Sequence, residues 1–277
     1  MRSALGLAIV STSLSLTAAD WPVFRGPDHN GVSRETGWSA AWSKDGPKVA
    51  WRAKVGLGFS TVVVSGGKVL ATGHDGRAKG QDTVACFDAA TGKELWHHSY
   101  VAPLGNKYFE GGTTGTPTID GDRVFHLSRQ GDFFCLEPAT GKVVYQKQLV
   151  TELGVDVPEW GFASSPLVEG NAVILNVGTH GTALDKATGK VIWQNGKSSA
   201  AYATATPCDV DGTRCVVLLG HRECALVEAA TGKVRWTRKF TSSYDTNAGA
   251  PLVQDGAVSL SGENTLATKL NLRDGSP

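Results

Sequence analysis

The sequence predicts an all-β fold, a β-propeller of four-stranded blades with about five repeats. The first observation is an internal repeat that ends in a tight turn, which is Thr-Gly-Lys in the first four copies. The turn glycines are Gly92, Gly141, Gly189, Gly232 and Gly275, spaced by 49, 48, 43 and 43 residues. These spacings match the roughly 40 to 50 residues of a propeller blade. The second observation is the alternation of β-branched and aromatic residues with frequent turn signals, which is typical of antiparallel sheet.

Each repeat supplies the strands of one blade. Segments such as TPTIDGDRVFHL and SPLVEGNAVILNV predict two strands joined by a tight turn, and the hairpin around Thr-Gly-Lys adds two more. The propeller domain is predicted over residues 47–277. Its blades are predicted at about 58–100, 115–150, 164–196, 205–240 and 249–277.

The chemistry of the repeated turn has a structural explanation. Glycine tolerates the positive φ that such a turn requires, and a neighbouring Asp, Glu or Thr side chain can bond the turn backbone. An aromatic residue follows the turn as Trp96, Trp193 and Trp236, and Tyr145 replaces the indole once. A ring at this position can fill the gap between the outer strands of adjacent blades and bury about 150 to 250 Å². The turn glycines and these rings are therefore predicted to be structural.

The first nineteen residues predict a cleavable signal peptide. Arg2 provides a positive start, residues 4–16 are mostly apolar, and small residues lead to Ala19. No cysteine follows the expected cleavage site, so a lipoprotein anchor is not supported, and a periplasmic or secreted location is expected. No later segment approaches the ~20 apolar residues of a transmembrane helix. The 27 basic and 26 acidic residues give a net charge of +1, which argues against nucleic acid as a partner.

Five cysteines are present, and none forms a Cys-x-x-Cys motif. Redox, zinc and haem sites therefore lack their usual spacing, and no metal site is predicted. Cys208 and Cys215 flank a predicted turn and can form a disulfide if the strand register places them opposite each other. The sequence leaves this pairing open.

The repeat also resembles a known family. The segment from Ala85 to Trp96, with variants ending at Trp193 and Trp236, is similar to the pyrroloquinoline-quinone-like (PQQ-like) β-propeller repeat of the quinoprotein alcohol dehydrogenase-like superfamily. The opening WPVFRGPDHNGVS resembles the mature N-terminus of secreted bacterial members. The resemblance implies Thr-Gly-Lys turns on one propeller face and interblade loops on the other. It leaves activity open, because the superfamily includes quinone-dependent alcohol dehydrogenases and also non-catalytic scaffolds, such as the propeller lipoprotein of the outer-membrane β-barrel assembly machinery.

Two interpretations of ring closure remain open from the sequence. Residues 20–46 are expected to form an N-terminal strap, and residues 47–55, which include Trp51, are expected to form a closing strand. In one interpretation this strand completes a five-bladed ring. In the other, the chain is a truncated part of a seven- or eight-bladed propeller, since similar family members are longer.

The loops predicted on one face contain the candidate ligand-binding residues. An aromatic residue stands beside small residues in each interblade loop, and each mid-blade loop contains a basic residue or a histidine. The candidates are Tyr108, Glu110, Trp160, Tyr202, Tyr244, Asn247, His74, Arg129, His180 and His221. They are expected to gather around the channel mouth; alternatively, each packs on a neighbouring blade or bonds nearby backbone.

The residues favour a binding function over catalysis. A quinone enzyme needs a platform for a flat cofactor, a hard cation held by oxygen ligands and a carboxylate base. The chain offers Trp160 as a platform, Asn247 as a ligand and Asp245 as a weak candidate base, and it lacks an adjacent cysteine pair. The expected function is an exported non-catalytic scaffold without cofactor that binds a protein, a peptide or a small molecule at the loop face. The alternative is a dehydrogenase that uses pyrroloquinoline quinone (PQQ) with calcium, or a fragment of one.

Overall fold

A computed structural model describes residues 19–107 and 109–277. Tyr108 and nearly all of the predicted signal peptide lie outside these residues. The described chain forms five antiparallel sheets, four with four strands and one with three, and contains very little helix. The predicted all-β architecture of propeller blades is confirmed.

The five blades follow one another along the chain. Blade 1 contains β1 (Val63–Ser65), β2 (Lys68–His74), β3 (Lys79–Asp88) and β4 (Glu94–Pro103). Blade 2 contains β5 (Thr118–Asp120), β6 (Arg123–Leu127), β7 (Asp132–Leu136) and β8 (Val143–Gln148), followed by helix α1 (Leu149–Leu153). Blade 3 contains β9 (Leu167–Glu169), β10 (Ala172–Leu175), β11 (Thr182–Asp185) and β12 (Val191–Gln194). Blade 4 contains β13 (Thr206–Val210), β14 (Thr213–Leu219), β15 (Glu223–Glu228) and β16 (Val234–Lys239), followed by a 3-10 turn (Ser243–Asp245). Blade 5 contains β17 (Leu252–Gln254), β18 (Ala257–Leu260) and β19 (Thr268–Asn271).

The strands in each blade pair in sequence order, so each blade is a meander of hairpins. The register between the third and fourth strands shifts at the same point in blades 1 to 4, which marks a β-bulge. The core lies between the blades: for example, Leu70 and Val84 of blade 1 pack in one buried cluster with Phe134 of blade 2. The sequence repeat therefore corresponds to a repeat of backbone geometry and of packing.

An aromatic ring links each blade to the next. Trp96 lies over Gly141, whose φ is +71°, so closely that an added Cβ would overlap the indole. The Trp96 Nε1 donates to the carbonyl of Pro138 at 3.0 Å. The other repeat aromatics make the same pair of contacts with the following turn, and their carbonyl acceptors are those of Lys186, Ala229 and Leu272. The rings and turn glycines thus have the structural role that the repeat predicts.

The segment predicted as a closing strand is different in the structure. Residues 47–55 form no strand and do not pair with β19. Instead, Trp51 stacks on Gly92 of blade 1 and donates its Nε1 proton to the carbonyl of Ala89 at 2.8 Å. This is the contact that each outer-strand ring makes with the following blade. The segment is therefore held by its indole rather than by backbone pairing.

The N-terminal strap lies against the inner strands. Trp21 forms an isolated bridge with Val64, and the Pro22 carbonyl accepts from Ile119 N–H at 2.9 Å. The guanidinium of Arg25 reaches the Pro251 carbonyl at 3.5 Å. Residues 20–25 therefore contact blades 1 and 2 and the start of blade 5.

The strand register places Cys208 directly opposite Cys215. Both are buried free thiols, and burial raises the pKa of Cys208 to about 12. The register condition for a disulfide is met, although no bond joins the sulfurs. Within the described residues, no helix has the length and apolar character needed to cross a membrane.

A buried polar cluster lies between blades 1 and 2. The hydroxyl oxygen of Tyr100 lies 2.8 Å from His126 Nε2 and 3.4 Å from a carboxylate oxygen of Asp82. His126 and Asp82 are each 1% exposed. Burial lowers the pKa of His126 to about 3 and raises the pKa of Asp82. Both shifts favour the neutral form of the group.

We expect the folded state to lose stability as the pH falls below the ordinary histidine pKa of 6.5. The unfolded chain then binds a proton on His126 that the folded chain does not, which costs about 1.4 kcal/mol per pH unit until the folded pKa is reached. Asp82 opposes this loss at lower pH, because its raised pKa lets the folded chain take up a proton before the unfolded chain does. Urea unfolding at pH 7, 6 and 5 should show a shallower pH slope for His126→Gln than for the wild type, and equal slopes would contradict the assignment.

Candidate binding site on the loop face

The interblade connections and the mid-blade loops meet on the face opposite the Thr-Gly-Lys turns. A cavity of about 570 Å³ opens there. Its lining residues come from every blade or the connection beside it: Phe59, Phe109, Thr114, Trp160, Ala163, Tyr202, Thr246, Ala248, Gly249, Gly262 and Glu263. The cavity therefore lies where the five blades converge.

Two aromatic pairs form much of the cavity wall. Trp160 and Tyr202 stack with ring centroids 5.7 Å apart and an interplanar angle of 26°. Phe59 and Phe109 pack edge to face, with ring centroids 5.6 Å apart. Phe59 is 60% exposed, which is unusual for phenylalanine in a folded protein, whereas Tyr202 is buried. Flat rings around small residues can hold an apolar or aromatic group.

The structure brings together only some of the predicted aromatic residues. Trp160 and Tyr202 share the cavity, whereas Tyr244 is 90% exposed and does not line it. Tyr108 falls outside the described residues. Phe59 and Phe109 were not among the residues predicted from the sequence. Phe59 stands among small residues in GLGFS just before blade 1, which is the same signal that marked the other loops.

The basic mid-blade candidates do not line the aromatic cavity. His74 is fully buried, with Nε2 3.1 Å from the Ala102 carbonyl and Nδ1 accepting from Gly76 N–H at 2.9 Å. Arg129 is buried and donates to the Pro103 carbonyl at 2.6 Å. His180 Nε2 lies 2.7 Å from the Glu223 carboxylate. For these three residues the structure favours the backbone and neighbour contacts that were the alternative to ligand binding.

Asn247 braces the loop between β14 and β15. Its side chain is fully buried, and Nδ2 lies 2.8, 3.0 and 3.2 Å from the carbonyls of Gly220, His221 and Phe240. The Asn247 carbonyl accepts from Tyr202 N–H at 3.1 Å. Asn247 therefore connects the His221 loop to an aromatic residue of the cavity.

The remaining acidic candidates also lie away from the aromatic cavity. Asp245 accepts from Arg222 Nε at 2.8 Å, and Glu110 is exposed. Neither residue lines the cavity. The predicted oxygen ligands and carboxylate base are therefore not assembled around Trp160.

The cavity lining does not match the needs of a quinone cofactor with a hard cation. Such a cation requires several oxygen ligands. Glu263 is the sole carboxylate of the described lining, and that lining contains no lysine or arginine. Across the described residues, no group of three His, Cys, Asp or Glu side chains is placed to hold a metal ion. The donor set suits an apolar group better than PQQ with calcium.

Comparison with known proteins decides the family. The PQQ_2 family model, described as outer membrane protein assembly factor BamB, matches residues 80–277. The chain belongs to the PQQ_2 family. The predicted PQQ-like repeat is therefore confirmed, and the match includes all five turn glycines. No curated protein matches the chain.

Solved structures share the fold of this chain at low sequence identity. BamB from Moraxella catarrhalis is 19% identical with a TM-score of 0.57, covering 83% of this chain and 66% of its own. Quinohemoprotein alcohol dehydrogenase from Comamonas testosteroni is 16% identical with a TM-score of 0.67, covering 92% of this chain and 48% of its own. A europium-containing methanol dehydrogenase is 14% identical with a TM-score of 0.64, covering 83% of this chain and 52% of its own.

These likenesses show the fold alone. The chain spans between about half and two thirds of the length of the three structures. A similar fold thus occurs both in an assembly factor and in dehydrogenases, so the function of this chain has to be argued from the residues of its site.

Proposed function

We propose that this chain is a scaffold whose aromatic loop-face cavity, a non-catalytic site, binds an apolar, aromatic-containing segment of a protein partner. The observation that carries the proposal is the pair of aromatic contacts around the cavity, with Phe59 left 60% exposed in its wall. An exposed aromatic patch framed by polar residues is the usual mark of a protein interaction site. The match to a family described as an assembly factor supports the same function.

The proposal includes export to the periplasm or to the medium. Its support is the predicted signal peptide of residues 1–19, with a positive start, a short apolar stretch and small residues before the cleavage site. The proposal requires no cofactor. The described part of the lining, with Glu263 as its one carboxylate, supports binding of an uncharged side chain rather than a charged quinone.

A peptide selection tests the proposal. A phage library of random linear dodecapeptides is selected on the full chain, and the recovered peptides are titrated by calorimetry against three variants. We expect peptides rich in Trp, Phe and Leu whose affinity falls at least tenfold in Phe59→Ala and Phe109→Ala, about 1.4 kcal/mol each. Tyr244→Ala, a matched exposed aromatic on the same face but outside the cavity, should change the affinity less than twofold.

Two results would overturn the proposal. Recovered peptides that bind Phe59→Ala and Phe109→Ala as tightly as the wild type would place the binding surface elsewhere. Saturable binding of PQQ with Ca²⁺, together with alcohol-dependent dye reduction, would favour the dehydrogenase alternative.

A further inference from the structure

A serine and a histidine lie in hydrogen-bond contact in a second, polar cavity of the loop face. Ser199 Oγ is 2.9 Å from His221 Nε2. The cavity measures about 370 Å³, and Ser198 and Arg222 also line it. Ser199 lies in the connection between blades 3 and 4, and His221 lies in the turn between β14 and β15. Both side chains are only partly buried, so a small molecule can reach them from solvent.

The hydrogen bonds of His221 fix its tautomer. Nδ1 lies 2.9 Å from the backbone carbonyl of Asp245, and a carbonyl can only accept. The proton is therefore on Nδ1, and the lone pair of Nε2 faces the Ser199 hydroxyl, which donates to it. The competing acceptor of that hydroxyl, the Ala200 carbonyl, is farther away at 3.4 Å.

The imidazole is also held from other sides. The Tyr202 ring packs edge-on against the His221 ring, with centroids 6.1 Å apart and an interplanar angle of 89°. Asn247 Nδ2 donates to the His221 carbonyl at 3.0 Å, which holds the backbone of the turn. A hydroxyl, a base within hydrogen-bond reach and a third group that orients the base are the parts of an activated nucleophile.

We propose that Ser199 and His221 form a nucleophile and general-base pair that transfers the acyl group of a small carboxylic ester. Ser199 Oγ adds to the carbonyl carbon while its proton passes to Nε2 of His221. The ester C–O bond then breaks, and the alcohol leaves with that proton. Water adds to the acyl-serine, gives a proton to His221, and releases the carboxylic acid as the proton returns to Ser199. The same cavity is lined by Arg222, whose guanidinium Nε donates to Asp245 at 2.8 Å, and by Glu223.

Labelling with a fluorophosphonate probe tests this pair, because Ser199 Oγ would displace fluoride at phosphorus. Intact mass spectrometry and peptide mapping of the full chain should show one adduct, on Ser199. Ser199→Ala should not be labelled. His221→Gln should be labelled at least 100-fold more slowly, since general-base catalysis contributes about 10² to 10⁴ in rate. Ser99→Ala, which removes an exposed hydroxyl of β4 that lies 2.8 Å from Thr83 Oγ1 and outside this cavity, should be labelled at the wild-type rate.

Three labelling results would contradict the proposed pair. No adduct on the wild type, under conditions that label a serine esterase completely in the same tube, would overturn the proposal. An adduct on another residue would do the same. Equal labelling rates in the wild type and His221→Gln would leave Ser199 without its base. Thermal melts of the variants verify that a lost adduct reflects chemistry rather than unfolding.

Discussion

Replacing Gly141 by alanine is expected to destabilise the protein by about 2 to 5 kcal/mol. Gly141 has a φ of +71°, a conformation that costs an L-residue about 1 to 2 kcal/mol. The added methyl would also overlap the Trp96 indole, so either the ring or the turn must move. Forcing extra volume into a packed site costs about 1 to 3 kcal/mol more. The midpoint of urea unfolding, followed by tryptophan fluorescence, measures the loss.

Gly121→Ala is the matched control for this prediction. Gly121 also lies in a hairpin turn of blade 2 and has a φ of +56°, but no atom lies within 4 Å of an added Cβ. Its substitution should lower the free energy of unfolding only by the cost of a positive φ for alanine, about 1 to 2 kcal/mol. The excess loss in Gly141→Ala then measures the contact between blades. Equal losses in the two variants would show that the contact with Trp96 contributes nothing.

The architecture was predictable because its determinants are local and repeated. Each blade needs a turn residue that tolerates positive φ and a ring that lies over the next turn, and both recur at a nearly constant spacing. The role of Trp51 was not predictable in the same way. Its sequence resembles an outer strand, but the contact with Gly92 requires only the indole, so the ring packs without strand pairing.

The candidate site was only partly predictable, because its residues come from loops far apart in the chain. Phe59 and Phe109 are about fifty residues apart, yet their rings touch. His74 and His221 have similar sequence settings, as single histidines in mid-blade loops. The structure separates them, because backbone groups occupy both nitrogens of His74, whereas His221 faces a serine hydroxyl. Such differences depend on tertiary contacts that no local pattern encodes.

Asn247→Asp is expected to cost about 3 to 5 kcal/mol at neutral pH. The fully buried Asn247 Nδ2, which carries two N–H donors, lies 2.8 to 3.2 Å from three carbonyls, and a carboxylate at this position would donate to none of them. The substitution would also bury a negative charge against carbonyl oxygens, which is among the costliest changes in a protein interior. Since Asn247 joins the His221 turn to Tyr202, both cavities of the loop face should loosen. Urea unfolding measures the stability, and hydrogen exchange at residues 220–222 measures the local opening.

The pH dependence separates a buried charge from a lost hydrogen bond. Burial would raise the pKa of the introduced carboxyl, so the folded state takes up a proton at a pH where the unfolded state does not. The stability lost in Asn247→Asp should therefore shrink as the pH falls. The neutral acid can donate one hydrogen bond again. Asn264→Asp is the control, because Asn264 is exposed and donates to Ser243 Oγ at 2.9 Å on the same face. The free energy of unfolding of that variant should stay within about 0.5 kcal/mol of the wild-type value. A deficit in Asn247→Asp that is the same at pH 5 and pH 8 would mean that the carboxyl reaches solvent and that Asn247 does not brace the loop from a buried position.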